Sequence, residues 1–347
     1  MPAPAIGVAV SGGVDSLVSA FLLRQQYTQL FGLHFTTGYE TRKTDINRLK
    51  DQLKMDIITL DLSVPFENQV IDYFVSTYAR GKTPNPCIVC NQKIKFGVLL
   101  EHARKLGADY LATGHYATIV NDLTQPDAGV PLPRLEKAAD LKKDQSYFLA
   151  RLTCTQLAEI LCPLAGFTKK QVKALAAHHG LLPVTDKESQ DVCFIHDKDL
   201  TTFFTEKIGL APRPGPIVDI HGRQVGTHTG VHAFTVGQRR GINCPASEPY
   251  YVRGIDPATH TLHVCFKKDL AQQQMALEQM VWHEPRFEAV QDVSVKIRYR
   301  HKETGAVLTR QGNSGQVRFN QPQYAVTPGQ AAVFYNGPRV MGSGIIQ

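Results

Sequence analysis

Two groups of residues in this sequence could carry chemistry. The first is Ser11-Gly12-Gly13-Val14-Asp15-Ser16, set between an apolar run at residues 6–10 and an amphipathic stretch marked by Leu17, Ala20, Phe21 and Arg24. Two glycines let the main chain turn tightly and approach a ligand. Two serines offer hydroxyls, and a following helix directs its first N–H groups at an anion. The combination suits a phosphate; a plain strand-to-helix turn is the structural alternative. The second group is the cysteines. Pro84-Asn85-Pro86-Cys87-Ile88-Val89-Cys90-Asn91 puts a C-x-x-C at the start of a helix, where the helix N-terminus is expected to favour thiolate. Cys193 follows in Asp191-Val192-Cys193-Phe194-Ile195, and alone it reads equally as a small buried hydrophobe. Gly81-Lys82-Thr83 imitates the end of a Walker A loop. Ser76 stands where the first glycine belongs, however, and Pro84 and Pro86 prevent a helix from starting there.

The elements that must position these residues are legible in outline. Residues 6–10, 31–35, 57–61 and 110–113 read as buried strands. Phe96, Leu99, Leu100, Ala103 and Leu106 recur at helical spacing, and Arg104, Lys105 and Gly107 mark the helix end. Such alternation predicts an α/β fold with a doubly wound parallel sheet and a ligand crevice at the strand carboxyl ends. Residues 121–133 read as a surface loop, and Val172, Leu175, Ala176 and His179 share a helical face closed by Gly180. From residue 212 the texture becomes all-β, with turn signals at Arg213-Pro214-Gly215, Asp219-Ile220-His221-Gly222, Asp256-Pro257 and Asn336-Gly337. We therefore expect a nucleotide-binding catalytic domain at 1–200, a central β-rich domain at 201–275 and a β-barrel at 276–347.

A chain of 347 residues, 43% hydrophobic and 20% charged, has the length for two or three cores. It has no run of 18 apolar residues and no basic-then-apolar leader, so a cytoplasmic protein without membrane association is expected. In that compartment seven cysteines read as buried thiols, metal ligands or catalytic groups rather than a disulfide framework. The net charge of +7 is uneven: residues 1–195 contribute +2 and residues 196–347 contribute +5. A modest basic excess of this kind suits a polyanion without requiring one.

Further words fix the context. Ser-Gly-Gly-Val-Asp-Ser resembles the signature of the PP-loop ATP pyrophosphatases. Thr83-Pro84-Asn85-Pro86, Cys90-Asn91, Ile94-Lys95-Phe96, Ala112-Thr113-Gly114-His115-Tyr116, Lys143-Asp144-Gln145-Ser146-Tyr147-Phe148-Leu149 and Cys193-Phe194-Ile195 follow in order. Thr235-Val236-Gly237-Gln238-Arg239-Arg240-Gly241 and Thr327-Pro328-Gly329-Gln330-Ala331-Ala332-Val333-Phe334-Tyr335 come later. Together they resemble the tRNA-specific 2-thiouridylase family over essentially the whole chain. The resemblance implies an ATP- and Mg²⁺-dependent tRNA-uridine 2-sulfurtransferase that adenylates the C2 oxygen of the wobble uridine and then transfers sulfur. It also implies that Ala9, Val10, Ser11, Gly12, Gly13, Val14, Asp15, Ser16, Phe35 and Gly114 contact ATP, and that Cys90 and Cys193 are the sulfur-chemistry pair. By the same resemblance Asn85, Pro86, Cys87, His115, Lys143, Asp144, Gln145, Arg298, Tyr299 and Gln330 face tRNA. The expected partners are the Lys, Glu and Gln tRNAs and a sulfur donor (a cysteine desulfurase, a sulfur carrier or inorganic sulfide), with the enzyme a monomer.

This sequence departs from the family pattern in two places. Cys87 stands where many relatives carry Asp, and residues 36–50 lack the acidic, Trp-containing segment expected there. Sulfur delivery stays open between a Cys193 persulfide resolved by Cys90 and a 4Fe-4S cluster on Cys87, Cys90 and Cys193; a structural zinc on the same thiols is the bland alternative. Lys296, Arg298, Arg300 and Lys302 alternate, so on a strand they would form a basic stripe for a phosphate backbone, or simply a solvated face. Two rival functions are another PP-loop tRNA-modifying or amidating enzyme and a non-catalytic RNA-binding protein with a structural metal site. The first would have no need of Cys90 and Cys193, and the second no need of the 11–16 loop.

Overall fold

The computed structural model describes residues 3–121, 133–184, 192–195, 200–209, 213–283 and 289–347. Most of the loop expected at 121–133, and Asp191 beside Cys193, lie outside the described residues. The chain divides into two compact units. One comprises Met1–Val70, Cys87–Phe194 and Gly337–Val340, and the other Ile71–Pro86, Ile195–Asn336 and Met341–Gln347.

The first unit is built on a parallel sheet. β1 (Ala5–Ala9), β2 (Gln29–Thr36), β3 (Ile57–Asp61) and β4 (Tyr110–Ala112) stand in the order β3-β2-β1-β4, with Ile160–Leu161 outside β4. All these pairings are parallel. The order reverses between β1 and β4, so the segments after their carboxyl ends flank the crevice such sheets use for ligands. Ile6, Val8 and Val10 are fully buried under helix α1 (Val14–Arg24), whose Leu17, Val18 and Ala20 complete that core. Val172 and Ala176 of the Lys169–His178 helix belong to the same core.

The helix that begins with the cysteines is not regular. It is α-helical over Pro86–Val89, π-helical over Cys90–Val98 and α-helical again over Leu99–Lys105, where the sequence spacing predicts a uniform helix from residue 96. π-Turns free main-chain carbonyls and recur at functional sites. Here the Gln156 side-chain amide donates to Gln92 O (3.0 Å) and Phe96 O (2.6 Å), while the Gln92 amide donates to Arg151 O (2.9 Å). These long-range partners explain what helical periodicity could not foresee.

The second unit is β-rich. Tyr251–Asp256, Thr261–Cys265, Gly215–Val218 and Gln224–His228 form a four-stranded sheet in that order, around Ile217, Val252, Leu262 and Val264. Six further strands, Ala271–Trp282, Val290–Lys296, Thr304–Gln311, Ser314–Tyr324, Ala331–Asn336 and Arg339–Ile346, close into a barrel when the first pairs with the last. Val295, Leu308, Val317, Phe319 and Phe334 fill its interior. The alternating basic residues do not become a strand face. The strand ends at Lys296, and Arg298 O accepts from His301 N–H (3.0 Å) in the turn that follows. Lys296 is drawn off to Glu303 (3.6 Å) and the Tyr335 ring (5.4 Å), while Arg298, Arg300 and Lys302 stay exposed in the connection to Thr304–Gln311.

Candidate active site

The 11–16 loop leaves β1 and enters α1 without a side-chain cap on the helix. Uncapped first-turn N–H groups are what an anion needs. Gly12 takes φ +84°, a conformation that a side chain would strain. The loop is fixed from within and without. Ser16 Oγ donates to Gly13 O (2.8 Å), Ser11 Oγ to Ser16 Oγ (3.3 Å) and Val184 N–H to Gly12 O (3.0 Å). His34 Nδ1–H donates to Val10 O (2.8 Å), so a buried β2 side chain sets where the loop departs. Ala9 and Val10 at the end of β1 and Phe35 near the end of β2 lie at the strand carboxyl ends.

Gly114 touches this loop. A Cβ there would lie 3.0 Å from both the Asp15 carbonyl carbon and the Ser16 nitrogen. The next residue, His115, faces the cysteine helix: its ring lies 5.6 Å from that of Phe96, and Nδ1 bonds Thr113 Oγ1 (2.8 Å). Burial, helped by the Lys95 ammonium, holds its pKa well below the usual imidazole value. Two consecutive residues after β4 thus link the 11–16 loop to the π-helical segment.

Cys87, Cys90 and Cys193 share one electrostatic neighbourhood. Burial pushes the Cys90 thiol up to about 12, with Lys95 opposing and the charges of Cys193 and Cys87 adding. Cys193 is exposed as a residue, but desolvation of its thiol and then the Cys87 charge push it to about 11, again against Lys95. Cys87 is raised in the same way. Burial thus opposes the thiolate expected at the helix N-terminus, and among the described residues Lys95 is the cation that acts on all three groups. Among the described residues, no three Cys, His, Asp or Glu side chains come together as a metal site. No step is therefore derived through a 4Fe-4S cluster or a zinc ion on Cys87, Cys90 and Cys193. All seven cysteines are free thiols.

Aromatic residues that the sequence left aside pack on the neighbour of Cys193. Phe194 is buried, its ring 5.9 Å from Tyr39 and 6.0 Å from Phe66. Tyr39 in turn donates to Glu67 (2.7 Å), and Glu40 accepts from Thr37 N–H and Oγ1 and from Gly38 N–H. The 36–50 segment thus supplies an aromatic anchor beside the Cys193 backbone. No local sequence pattern announces it.

The residues assigned to tRNA are scattered in character. Asp144 is buried and accepts from Ala138 N–H, Ser146 N–H and Ser146 Oγ. Gln145 is paired with the main chain of Tyr116, and His115 and Pro86 are buried. These residues shape the site rather than present polar groups to solvent. Lys143 and Tyr299 are half-buried and Arg298 is exposed. Asn85 N–H donates to the Tyr73 hydroxyl (3.3 Å), and the Gln330 amide donates to Thr83 O (3.1 Å) and Pro84 O (2.9 Å). Within the second unit Gln330 therefore sets the path of the segment that leads to Pro86.

Family models match along almost the full length. A tRNA methyl transferase HUP domain covers residues 4–197, a tRNA methyl transferase PRC-barrel domain 202–266 and an aminomethyltransferase beta-barrel domain 272–346. The chain is 49% identical to the tRNA-specific 2-thiouridylase MnmA of Desulfosudis oleivorans, over 99% of this chain and 95% of that one. The chain belongs to the tRNA-specific 2-thiouridylase family. It is also 41% identical to the MnmA of Geotalea uraniireducens, over 98% of this chain and 94% of the relative. Among solved structures, a U34-tRNA thiolase NcsA from Methanococcus maripaludis with its 4Fe-4S cluster matches at 18% identity. That match has a TM-score of 0.35 over 58% of this chain and 66% of the other, too remote for its ligand to be carried over. Among the described residues no helix is long and apolar enough to cross a membrane.

Proposed function

We propose that this chain is an ATP-dependent tRNA-uridine 2-sulfurtransferase acting on the wobble uridine. The observation that supports this reading is the Gly114-His115 link, with the 11–16 loop on one side and the cysteine-bearing π-helix on the other. The 11–16 loop would hold the ATP phosphates, with Mg²⁺ arriving as the nucleotide's counter-ion. The C2 oxygen of uracil is a poor leaving group. Its attack on the α-phosphorus releases pyrophosphate and makes that oxygen part of AMP. The base must first leave the anticodon stack, at a cost on the order of a few kcal/mol.

Sulfur then replaces AMP. A donor such as a cysteine desulfurase, a sulfur carrier or sulfide with an oxidant would leave a persulfide on Cys193. Its terminal sulfur attacks C2, the C2–O bond breaks and AMP departs. Cys90 next attacks the Cys193 sulfur, so a Cys90–Cys193 disulfide forms as the thiolated base is freed. Raised thiol pKa values would keep Cys90 and Cys193 protonated at rest and slow their oxidation until substrate is bound. Lys95 is the cation placed to stabilise either thiolate.

The Lys, Glu and Gln tRNAs, a monomeric state, a cytoplasmic location and the domain limits 1–200, 201–275 and 276–347 belong to the same proposal. The spans of the three family models support those limits. Cys87 in the position of the usual Asp favours one competing reading, a cluster-bound sulfide. The protein purified without oxygen should be given unmodified tRNA, ATP, Mg²⁺ and a cysteine desulfurase with cysteine as sulfane-sulfur donor, and 2-thiouridine quantified by mass spectrometry. Product that requires ATP and vanishes in Cys193→Ala supports the reading; ATP cleavage without thiolated base overturns it. Stoichiometric iron and acid-labile sulfide in the active protein would transfer the sulfur step to the cluster.

A further inference from the structure

The register at the end of the parallel sheet sets two polar side chains behind His115. Leu111 pairs with Ile160 and Ala112 with Leu161, and Thr113 N–H donates to Leu161 O (3.0 Å). One step further along the two chains stand Thr113 and Cys162, whose hydroxyl and thiol share a hydrogen bond. Thr113 Oγ1 also lies 2.8 Å from His115 Nδ1. Cys162, Thr113 and His115 thus form a line of hydrogen bonds. It ends at the ring that faces the cysteine helix.

The number of protons on this line decides its direction. Desolvation of the Cys162 thiol pushes it up to about 12, so the sulfur keeps its proton at neutral pH. Burial, with the Lys95 ammonium, keeps the His115 ring neutral, with one N–H and one bare nitrogen. If Nδ1 held that proton, it would donate to Thr113, and the Thr113 proton would turn to sulfur, a weak acceptor. The Cys162 S–H would then lose its acceptor. In the opposite direction Cys162 donates to Thr113 Oγ1, Thr113 donates to Nδ1, and every proton on the line is used. The ring proton then sits on Nε2. Among the described residues Nε2 has no hydrogen-bond partner, and it is not sealed in the core.

The Thr113 hydroxyl is not needed for the backbone here. Gly114 rests against Asp15 and Ser16, and Tyr116 exchanges two hydrogen bonds with Gln145 (2.9 and 2.7 Å). Thr113 is buried, and valine would keep its branched shape at the end of β4.

We propose that Thr113 is a positioning residue: its hydroxyl proton goes to His115 Nδ1 and holds the ring in the Nε2–H form. The site is thereby given an uncharged donor for a substrate oxygen. This rests on the reading of the site as that of a tRNA-uridine 2-sulfurtransferase.

The test is NMR of the full chain carrying ¹⁵N-histidine, with His115→Gln to assign the ring and circular dichroism to check the fold. At neutral pH Nδ1 should be bare and Nε2 protonated. Thr113→Val should let the Nδ1–H form appear and slow 2-thiouridine formation by about tenfold or more, the size of one lost hydrogen bond. Thr113→Ser should restore both. A donor to a nucleotide phosphate moves the Nε2 resonance with ATP alone. A donor to a base carbonyl moves it only when an unmodified anticodon stem-loop is added as well. A protonated Nδ1 in the unaltered protein overturns the inference, as does an Nε2 resonance that neither addition moves. So does a folded Thr113→Val that keeps either the original ring form or the original rate. If Thr113→Val does not fold, the Nδ1 state of the unaltered protein decides alone. An unaltered protein that makes no 2-thiouridine fails the functional reading instead, because the ring form is read without substrate.

Discussion

Substituting Gly114 by alanine should cripple ATP binding while leaving the fold intact. The added Cβ would sit 3.0 Å from the Asp15 carbonyl carbon, 3.0 Å from the Ser16 nitrogen and 3.1 Å from Asp15 Cβ. Comfortable heavy-atom contacts lie at about 3.5–4.0 Å, so roughly half an ångström must be found. Two of the three atoms are backbone at the start of α1, and that helix is pinned by fully buried Leu17, Val18 and Ala20. The loop must therefore move. Overpacking of this kind costs about 1–3 kcal/mol. Where the strain falls on the bound geometry, it corresponds to roughly a 5- to 150-fold loss of affinity. Calorimetric titration with ATP measures it, beside Gly166→Ala, where a Cβ meets nothing within 4 Å. An unchanged ATP affinity in Gly114→Ala, or an equal loss in Gly166→Ala, would show that the contact does not control the loop.

The other predictions concern the thiols and the RNA surface. Because burial raises Cys193 to about 11 against Lys95, iodoacetamide labelling should climb about tenfold per pH unit through the range 7–10. Lys95→Met should slow it at every pH in that range; a plateau near pH 8 would contradict the burial argument. Gln330→Ala strands the Thr83 and Pro84 carbonyls it bonds, and should cost about 1–3 kcal/mol in urea unfolding, less if water takes its place. Neutralising the exposed Arg298 and Arg300 together should weaken tRNA binding and reduce its salt slope by about one for each phosphate left without its cation. Unchanged affinity at low salt would remove that turn from the interface.

The amino-acid sequence determined whatever depends on near neighbours. The strand at Ile57–Asp61 falls where its apolar run predicts, but it lies at the sheet edge and is mostly exposed rather than buried; β1, β2 and β4 differ from expectation by no more than two residues at an end. The 11–16 loop was legible because its glycines, serines and flanking strand are contiguous. Cys90 and Cys193 could be paired only through a resemblance spanning the chain, since about a hundred residues separate them. Tertiary structure decided the rest, wherever burial or a distant partner outweighs local preference. The helix dipole alone suggests a thiolate at Cys90; packed protein around the sulfur reverses the sign. Alternation alone suggests a basic strand face, but the chain turns after Lys296, whose ammonium is drawn to Glu303 and the Tyr335 ring. Helical spacing alone cannot foresee a π-helix whose carbonyls are taken by Gln156, sixty residues away in sequence from Phe96. Nor can it foresee that Lys169, 154 residues from Asp15 in the sequence, pairs with that carboxylate in the 11–16 loop. Electrostatics and hydrogen bonding act through space, and only the fold sets those distances.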